Sequence, residues 1–390
     1  MTLVPTETSA ALPPATLMQF GVGRFLLAHV DLFASQARSA GGDVEIIAVQ
    51  TSDRPAGRGK ARALAQAASY PVQLRGRRHS ELIDTRLAVD SITRSLVATE
   101  NWAEVHRTFC NDVTHVVSNT SESGYLVATG DSPLAPCPVS FPAKLTQLLK
   151  ARFDADRPGV TLLPCELLTD NAGVLRDVVL GLARDSYQDA AFEQWLTAEC
   201  VWVPTLVDRI VSAELEPVGA VAEPYGLWAI QQVDGLTLPF RHDDVLLVED
   251  LGPYERRKLH LLNLAHTWLV ARARQLGVME QLPLVRQAME DPRLGGELIA
   301  MLREEVVPVL DHEYPGMALD EYVDSIIERF CNPWLDHQLV DIAQNHEKKL
   351  ERRLAPVLAM ARCQGRALPR LAAALAPHTR DTRATPPSAQ

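Results

Sequence analysis

Leu17-Met18-Gln19-Phe20-Gly21-Val22-Gly23-Arg24-Phe25-Leu26-Leu27-Ala28-His29 is the stretch that decides the fold. A short apolar run enters a glycine turn, and an apolar helical pattern leaves it. This is the form of the first strand–turn–helix unit of a dinucleotide-binding fold. Glycines let the backbone approach a pyrophosphate, and the helix N-terminus supplies free N–H groups and a positive dipole end. Gly21, Val22, Gly23, Arg24 and Phe25 are therefore the candidate cofactor contacts. The fingerprint is incomplete, because Leu26 occupies the place of the third glycine, and a turn that merely needs glycine fits as well.

Asp43-Val44-Glu45-Ile46-Ile47-Ala48-Val49-Gln50 reads as the second strand, with Thr51-Ser52-Asp53-Arg54 behind it. An acid just past strand two takes the ribose hydroxyls in such folds, so Asp53 points to NAD. Arg54 beside it would suit a 2′-phosphate, so NADP stays open, as does a plain polar loop. His115-Val116-Val117-Ser118 is a further strand, ending in Asn119-Thr120-Ser121-Glu122-Ser123-Gly124-Tyr125. Ligands bind at the carboxyl ends of parallel strands, so Asn119, Thr120 and Glu122 are expected to face the nicotinamide half. Val160 to Leu168 is another strand, ending in the acid Glu166. Residues 77–100 alternate weakly, as a strand or hairpin would, and the Asp208-Arg209 pair reads as a structural ion pair.

From Tyr254 the pattern turns helical, with helices expected at about 254–275, 283–290, 294–306, 319–331, 334–345, 347–362 and 367–376. The expected fold is an α/β Rossmann-type N-terminal domain followed by a mostly α-helical C-terminal domain. Residues 1–15 read as a disordered leader, 16–245 as the dinucleotide-binding domain, 246–377 as a helical substrate domain and 378–390 as a disordered tail.

The totals narrow the function. A chain of 390 residues with 47% hydrophobic content suits two globular domains. A net charge of −11 argues against nucleic acid as a partner. The six cysteines form no C-x-x-C pair, which argues against a zinc site or disulfide framework and fits reduced thiols in a cytoplasm. The N-terminus lacks a signal-peptide pattern, and no apolar run is long enough to span a membrane.

Within Tyr254-Glu255-Arg256-Arg257-Lys258-Leu259-His260-Leu261-Leu262-Asn263-Leu264-Ala265-His266, the polar groups sit at suggestive steps. Glu255, Lys258 and His266 share a face of an α-helix. Asn263 does not: at 100° per residue it is about 140° from Lys258 and about 60° from His266. A lysine, an amide and an imidazole could supply a base, a hydrogen-bond donor and a substrate clamp. A solvated helix face has the same spacing.

Four motifs in order, Gly21-Val22-Gly23-Arg24-Phe25, Ser118 to Gly124, Val207-Asp208-Arg209-Ile210 and Lys258-x4-Asn263-x2-His266, resemble the polyol-specific long-chain dehydrogenases, the mannitol dehydrogenase family. Further motifs favour its sugar-acid branch, the tagaturonate reductases. They are Ser140 to Thr146, Pro164-Cys165-Glu166-Leu167, Pro253 to Lys258, Val306 to Leu310, Arg329-Phe330-Cys331-Asn332-Pro333 and His337-Gln338-Leu339. The resemblance implies metal-independent hydride transfer between NAD, with NADP an alternative, and a keto-uronate or hydroxy-aldonate. It implies Lys258 as general base, Asn263 as donor to the developing oxyanion, His266 as the group orienting the substrate hydroxyl and Glu255 as the relay of the proton to solvent. A lysine acts as a base where burial or nearby cations favour its neutral form.

Glu166 and Lys349 are the substrate contacts it suggests, Lys349 facing a carboxylate; a solvated Lys348-Lys349 run is the alternative. Leu264 replaces a family glycine, and the chain ends before the longer helical part of the sugar-acid branch, so part of the substrate wall is expected to differ. A neutral polyol such as mannitol or arabinitol is the second reading, and a non-catalytic nucleotide-binding homologue the third. The expected assembly is a monomer or small homo-oligomer.

Overall fold

A computed structural model describes residues 12–120 and 123–375. Most of the expected leader, the whole tail 378–390 and the candidate Glu122 lie outside the described residues. The chain divides into two compact units. Among the described residues, one comprises 12–75 and 82–252, and the other comprises Gly76–Glu81 and 253–375.

The first unit is the Rossmann-type one. Its strands begin with β1 (Ala15–Phe20), β2 (Val44–Gln50), β3 (Tyr70–Arg78), β4 (Glu81–Val89), β5 (Ile92–Val97), β6 (His115–Ser118) and β7 (Thr161–Pro164). They continue with β8 (Val201–Trp202), β9 (Thr205–Asp208), β10 (Val211–Glu214), β11 (Ala220–Ala222), β12 (Leu227–Gln231) and β13 (Val245–Val248). The main sheet has the order β5-β2-β1-β6-β7-β8, and every neighbouring pair is parallel. The order reverses between β1 and β6, and that switch point is where such sheets bind dinucleotides.

Both faces of this sheet are covered, which is why its strands read as continuous apolar runs. Leu17, Ile46, Val117 and Leu163 enter one core, while their neighbours Met18, Ile47, Val116 and Leu162 enter the other. The weakly alternating stretch 77–100 holds the expected hairpin, with β3 joined to β4 through His79 and Ser80, followed by β5. β3 and β4 belong to a four-stranded sheet of order β10-β11-β3-β4, while β5 returns to the main sheet. The run Val203–Val211 divides likewise between β9 and β10.

The second unit is helical. Gly252–Arg257, Lys258–Asn263 and Leu264–Gln275 follow without a break, the middle piece in π-helical form. The same happens at Glu297–Ala300, Met301–Val306 and Val307–Glu313, where Pro308 explains it. A proline inside a helix lacks an N–H and crowds the preceding turn, and a wide turn just before it gives room. The helix expected at 334–345 shrinks to Leu339–Ile342, and that expected at 347–362 is two helices, His346–Arg353 and Ala355–Cys363. Pro356 in the first turn of the second explains the break.

A buried polar cluster braces the first unit. Asp31, fully buried, accepts hydrogen bonds on Oδ2 from Gln19 Nε2 at 3.3 Å and from the Tyr70 hydroxyl at 3.1 Å. Gln19 Nε2 also donates to the Gly21 carbonyl at 3.2 Å, so the cluster holds the glycine turn from behind. Burial pushes the Asp31 carboxyl up to about 7, against the pull of the Gln19 and Tyr70 hydrogen bonds. The folded state therefore holds a proton that the unfolded chain releases near pH 4, and this contribution to stability is lost as pH rises through about 7. Urea unfolding of wild type and Asp31→Asn at pH 5 and pH 8 should show the stability difference moving in favour of the variant at the higher pH. A difference independent of pH would contradict this assignment.

Candidate active site

Gly21 follows β1 with φ +124°, a conformation open to glycine. A Cβ there would lie 3.1 Å from the Asn119 carbonyl oxygen, so the missing side chain lets the ends of β1 and β6 close up. Gly23 has an ordinary φ of −73° as N-cap of the short helix Arg24–Leu27, and a Cβ on it would meet nothing within 4 Å. Its surroundings are open where a ligand backbone would approach. Leu26, in the place of the third glycine, is buried, and its Cδ1 is 3.5 Å from the same Gly21 Cβ position. The turn of Gly21, Val22, Gly23, Arg24 and Phe25 thus leaves open space at Gly23 beside the switch point.

Asp53 stands just beyond β2, exposed, its Oδ1 accepting from Arg58 at 2.9 Å and from Thr99 Oγ1 at 3.4 Å. Arg54 beside it is also exposed. Asn119 and Thr120 leave β6 half-buried; Asn119 Nδ2 donates to the Cys165 carbonyl at 2.6 Å. Glu166, the expected substrate contact, is 3% exposed and accepts hydrogen bonds from Ser118, Thr120 and Tyr125.

In the helical unit, the wide turn changes the geometry of the Lys258–Asn263 pair. The Leu264 N–H donates to the Leu259 carbonyl, an i to i+5 bond. In such a ladder residues five apart lie about one turn apart, so Asn263 comes round toward Lys258. Lys258, Asn263 and Glu255 are half-buried, while Leu264 is fully buried. His266 is 7% exposed, its ring 4.2 Å from that of Phe330 and 4.8 Å from that of His337. Arg257 does not turn toward Lys258: it stacks on Tyr322 and Tyr254 and donates to the Met317 carbonyl. Arg256 lies over Tyr314.

Two further groups complete the cluster. Arg353 donates to the Asn263 carbonyl at 3.1 Å and to Thr267 Oγ1 at 2.9 Å. Lys349 donates to the Ile342 carbonyl at 2.7 Å; burial first, and then Arg353, lower its ammonium below the ordinary value. His337 is lowered too, by burial and by Lys349, against Asp341. Arg353 and His337 were not candidates from sequence. The one signal for Arg353 is its place one helical turn after Lys349.

Residues 15–238 match the mannitol dehydrogenase Rossmann domain and residues 250–389 the mannitol dehydrogenase C-terminal domain. The chain belongs to the mannitol dehydrogenase family. It is 33% identical to the altronate oxidoreductase of Cronobacter sakazakii (strain ATCC BAA-894), over 96% of this chain and 81% of that one. It is 34% identical to that of Escherichia coli O7:K1 (strain IAI39 / ExPEC), over 93% and 79%. A D-sorbitol dehydrogenase in substrate-free form shares the fold with a TM-score of 0.80 at 23% identity, over 93% and 82% of the two chains. Mannitol 2-dehydrogenase of Pseudomonas fluorescens, solved with NAD and D-mannitol, gives 0.71 at 21%, over 93% and 78%. The protein is thus an oxidoreductase acting on CH–OH groups with an NAD-type cofactor. No helix among the described residues is long and apolar enough to cross a membrane.

The two glycines separate folding from binding. Gly21→Ala is strained by φ and crowded by Asn119, so its Tm should fall by several degrees. Gly23→Ala should melt as wild type does, yet bind NADH about tenfold or more weakly in a fluorescence titration. Unchanged NADH affinity in a folded Gly23→Ala chain would remove this turn from the cofactor site.

Proposed function

We propose that this protein interconverts a keto-sugar acid and its hydroxy acid, as an altronate oxidoreductase does, with NAD as the preferred cofactor. The observation that carries the substrate class is a run of neighbours, with Arg353 on the Asn263 carbonyl, Lys349 beside Arg353, and His337 beside both Lys349 and His266. Among the described residues neither Lys349 nor Arg353 is in an ion pair; each donates to a backbone carbonyl or a hydroxyl. A neutral polyol gives no reason to hold unneutralised cations there, whereas a carboxylate does.

The bound nicotinamide supplies the hydride acceptor or donor. Lys258 takes the hydroxyl proton from the carbon undergoing oxidation, and Glu255 passes it to solvent. Asn263 donates to the oxygen as charge develops on it, and His266, held between Phe330 and His337, orients the hydroxyl. Asn119 and Thr120 face the nicotinamide half, and Asp53 takes the ribose hydroxyls. A neutral-polyol dehydrogenase is the second reading, favoured by the fold shared with the sorbitol and mannitol enzymes.

Purified protein should reduce NAD with D-altronate or another hexonate well above its rate with mannitol, sorbitol or arabinitol. Lys258→Ala should lower kcat by about 10²–10⁴-fold. Lys349→Met should raise KM for the acid about tenfold or more and leave that for a polyol nearly unchanged. Polyols turned over better than every acid would sink the substrate class, and full activity in Lys258→Ala would sink the base. For the cofactor, Asp53→Ser should shift the NAD to NADP ratio of kcat/KM toward NADP by about tenfold; an unchanged ratio would free Asp53 from that role.

A further inference from the structure

Glu166 follows β7 at the carboxyl edge of the sheet, beside the switch point. Among the described residues its oxygens accept four hydrogen bonds, all from the end of the neighbouring strand β6 and the chain leaving it. Oε1 accepts from the Thr120 backbone N–H at 2.9 Å and Thr120 Oγ1 at 3.0 Å. Oε2 accepts from Ser118 Oγ at 3.0 Å and the Tyr125 hydroxyl at 2.8 Å. An ionised carboxylate has about four lone-pair sites, so these donors saturate it. Burial, and then the Glu166 carboxylate itself, push the Tyr125 phenol well above its ordinary value, so the phenol keeps its proton to donate. A second tether runs the same way, from Asn119 Nδ2 to the Cys165 carbonyl.

We propose that Glu166 is a positioning residue: its carboxylate fixes Asn119 and Thr120 at the end of β6 for the nicotinamide half of the cofactor, and it makes no contact with substrate. A substrate hydroxyl reaching this carboxylate would have to displace one of the donors that hold the site's own backbone. The role rests on the cofactor reading above; the anchoring does not.

Glu166→Gln and Glu166→Ala separate this role from a direct one. In the glutamine variant the carbonyl oxygen keeps both Thr120 donors. Its amide donates to Ser118 Oγ and the Tyr125 oxygen, hydroxyls that turn from donor to acceptor. Alanine leaves the Thr120 N–H without its acceptor. Amide exchange of the peptide carrying Asn119 and Thr120 should therefore quicken about tenfold or more in the alanine variant, and NADH should bind about tenfold more weakly, read by tryptophan fluorescence without substrate. The KM for substrate should move far less than the NADH affinity, and the glutamine variant should stay within about threefold of wild type on every measure.

Should the alanine chain fail to fold, Tyr125→Phe removes a single donor and should weaken NADH by about threefold. A glutamine variant as damaged in kcat as the alanine one, with NADH affinity intact, would overturn the proposal in favour of direct contact with substrate. A folded alanine variant with wild-type exchange and NADH affinity would overturn the anchoring itself. Wild type that binds neither NADH nor NADPH would defeat the cofactor reading and the role with it, while the exchange comparison still decides the anchoring.

Discussion

At the switch point the chain leaving β1 runs tightly against the chain leaving β6, with the Asn119 carbonyl 3.1 Å from where a Gly21 Cβ would stand. The rest of the first unit follows from this approach. Gln19 and the buried Asp31 hold the turn from behind, and Leu26 fills the space beside it. Glu166 fixes the opposing backbone from the next strand. A parallel sheet covered on both faces has little freedom to shift register, so these local contacts inherit a rigid frame.

The helical unit solves a different problem. A regular α-helix would set Lys258 and Asn263 about 140° apart. The π turn relieves this by changing the ladder over a few residues, while the helix continues to Gln275 with Leu264, Trp268 and Leu269 in the core. Wide turns of this kind are costly in isolation and recur at functional sites. Here Thr267 and Arg353 both donate to the Asn263 carbonyl, which ties the end of the wide turn to the helix His346–Arg353.

The fold was largely legible in the sequence, because its signals are local. The glycine turn after an apolar strand, the acid behind β2 and the change to helical period near Tyr254 each need only a short window. What was not legible depends on partners far along the chain. Glu166 reads as a lone acid at a strand end, and only the fold brings Ser118, Thr120 and Tyr125, more than forty residues earlier, to its oxygens. The hairpin of β3 and β4 lies outside the main sheet, and β3 also pairs with β11 from late in the chain, so weak alternation could show the hairpin but not its sheet. The spacing of Lys258 and Asn263 misled for a simpler reason: a fixed 100° per residue does not hold where the ladder changes.

Glu166, Lys349 and Arg353 are held on one physical plan, unlike ion pairs such as Arg303–Asp324 and Lys60–Glu214. Glu166 is met by backbone, hydroxyl and phenol donors, and Lys349 and Arg353 by carbonyls and a hydroxyl. Each group is oriented by neutral dipoles and is not cancelled by an opposite charge. The consequences differ because the valences differ. Four donors fill a carboxylate such as that of Glu166. An ammonium has three donor hydrogens and a guanidinium five, so one or two carbonyl contacts fix their direction and leave N–H groups over. Under the sugar-acid reading proposed above, an anionic group on the substrate would take up those N–H groups, which a neutral polyol would leave to solvent.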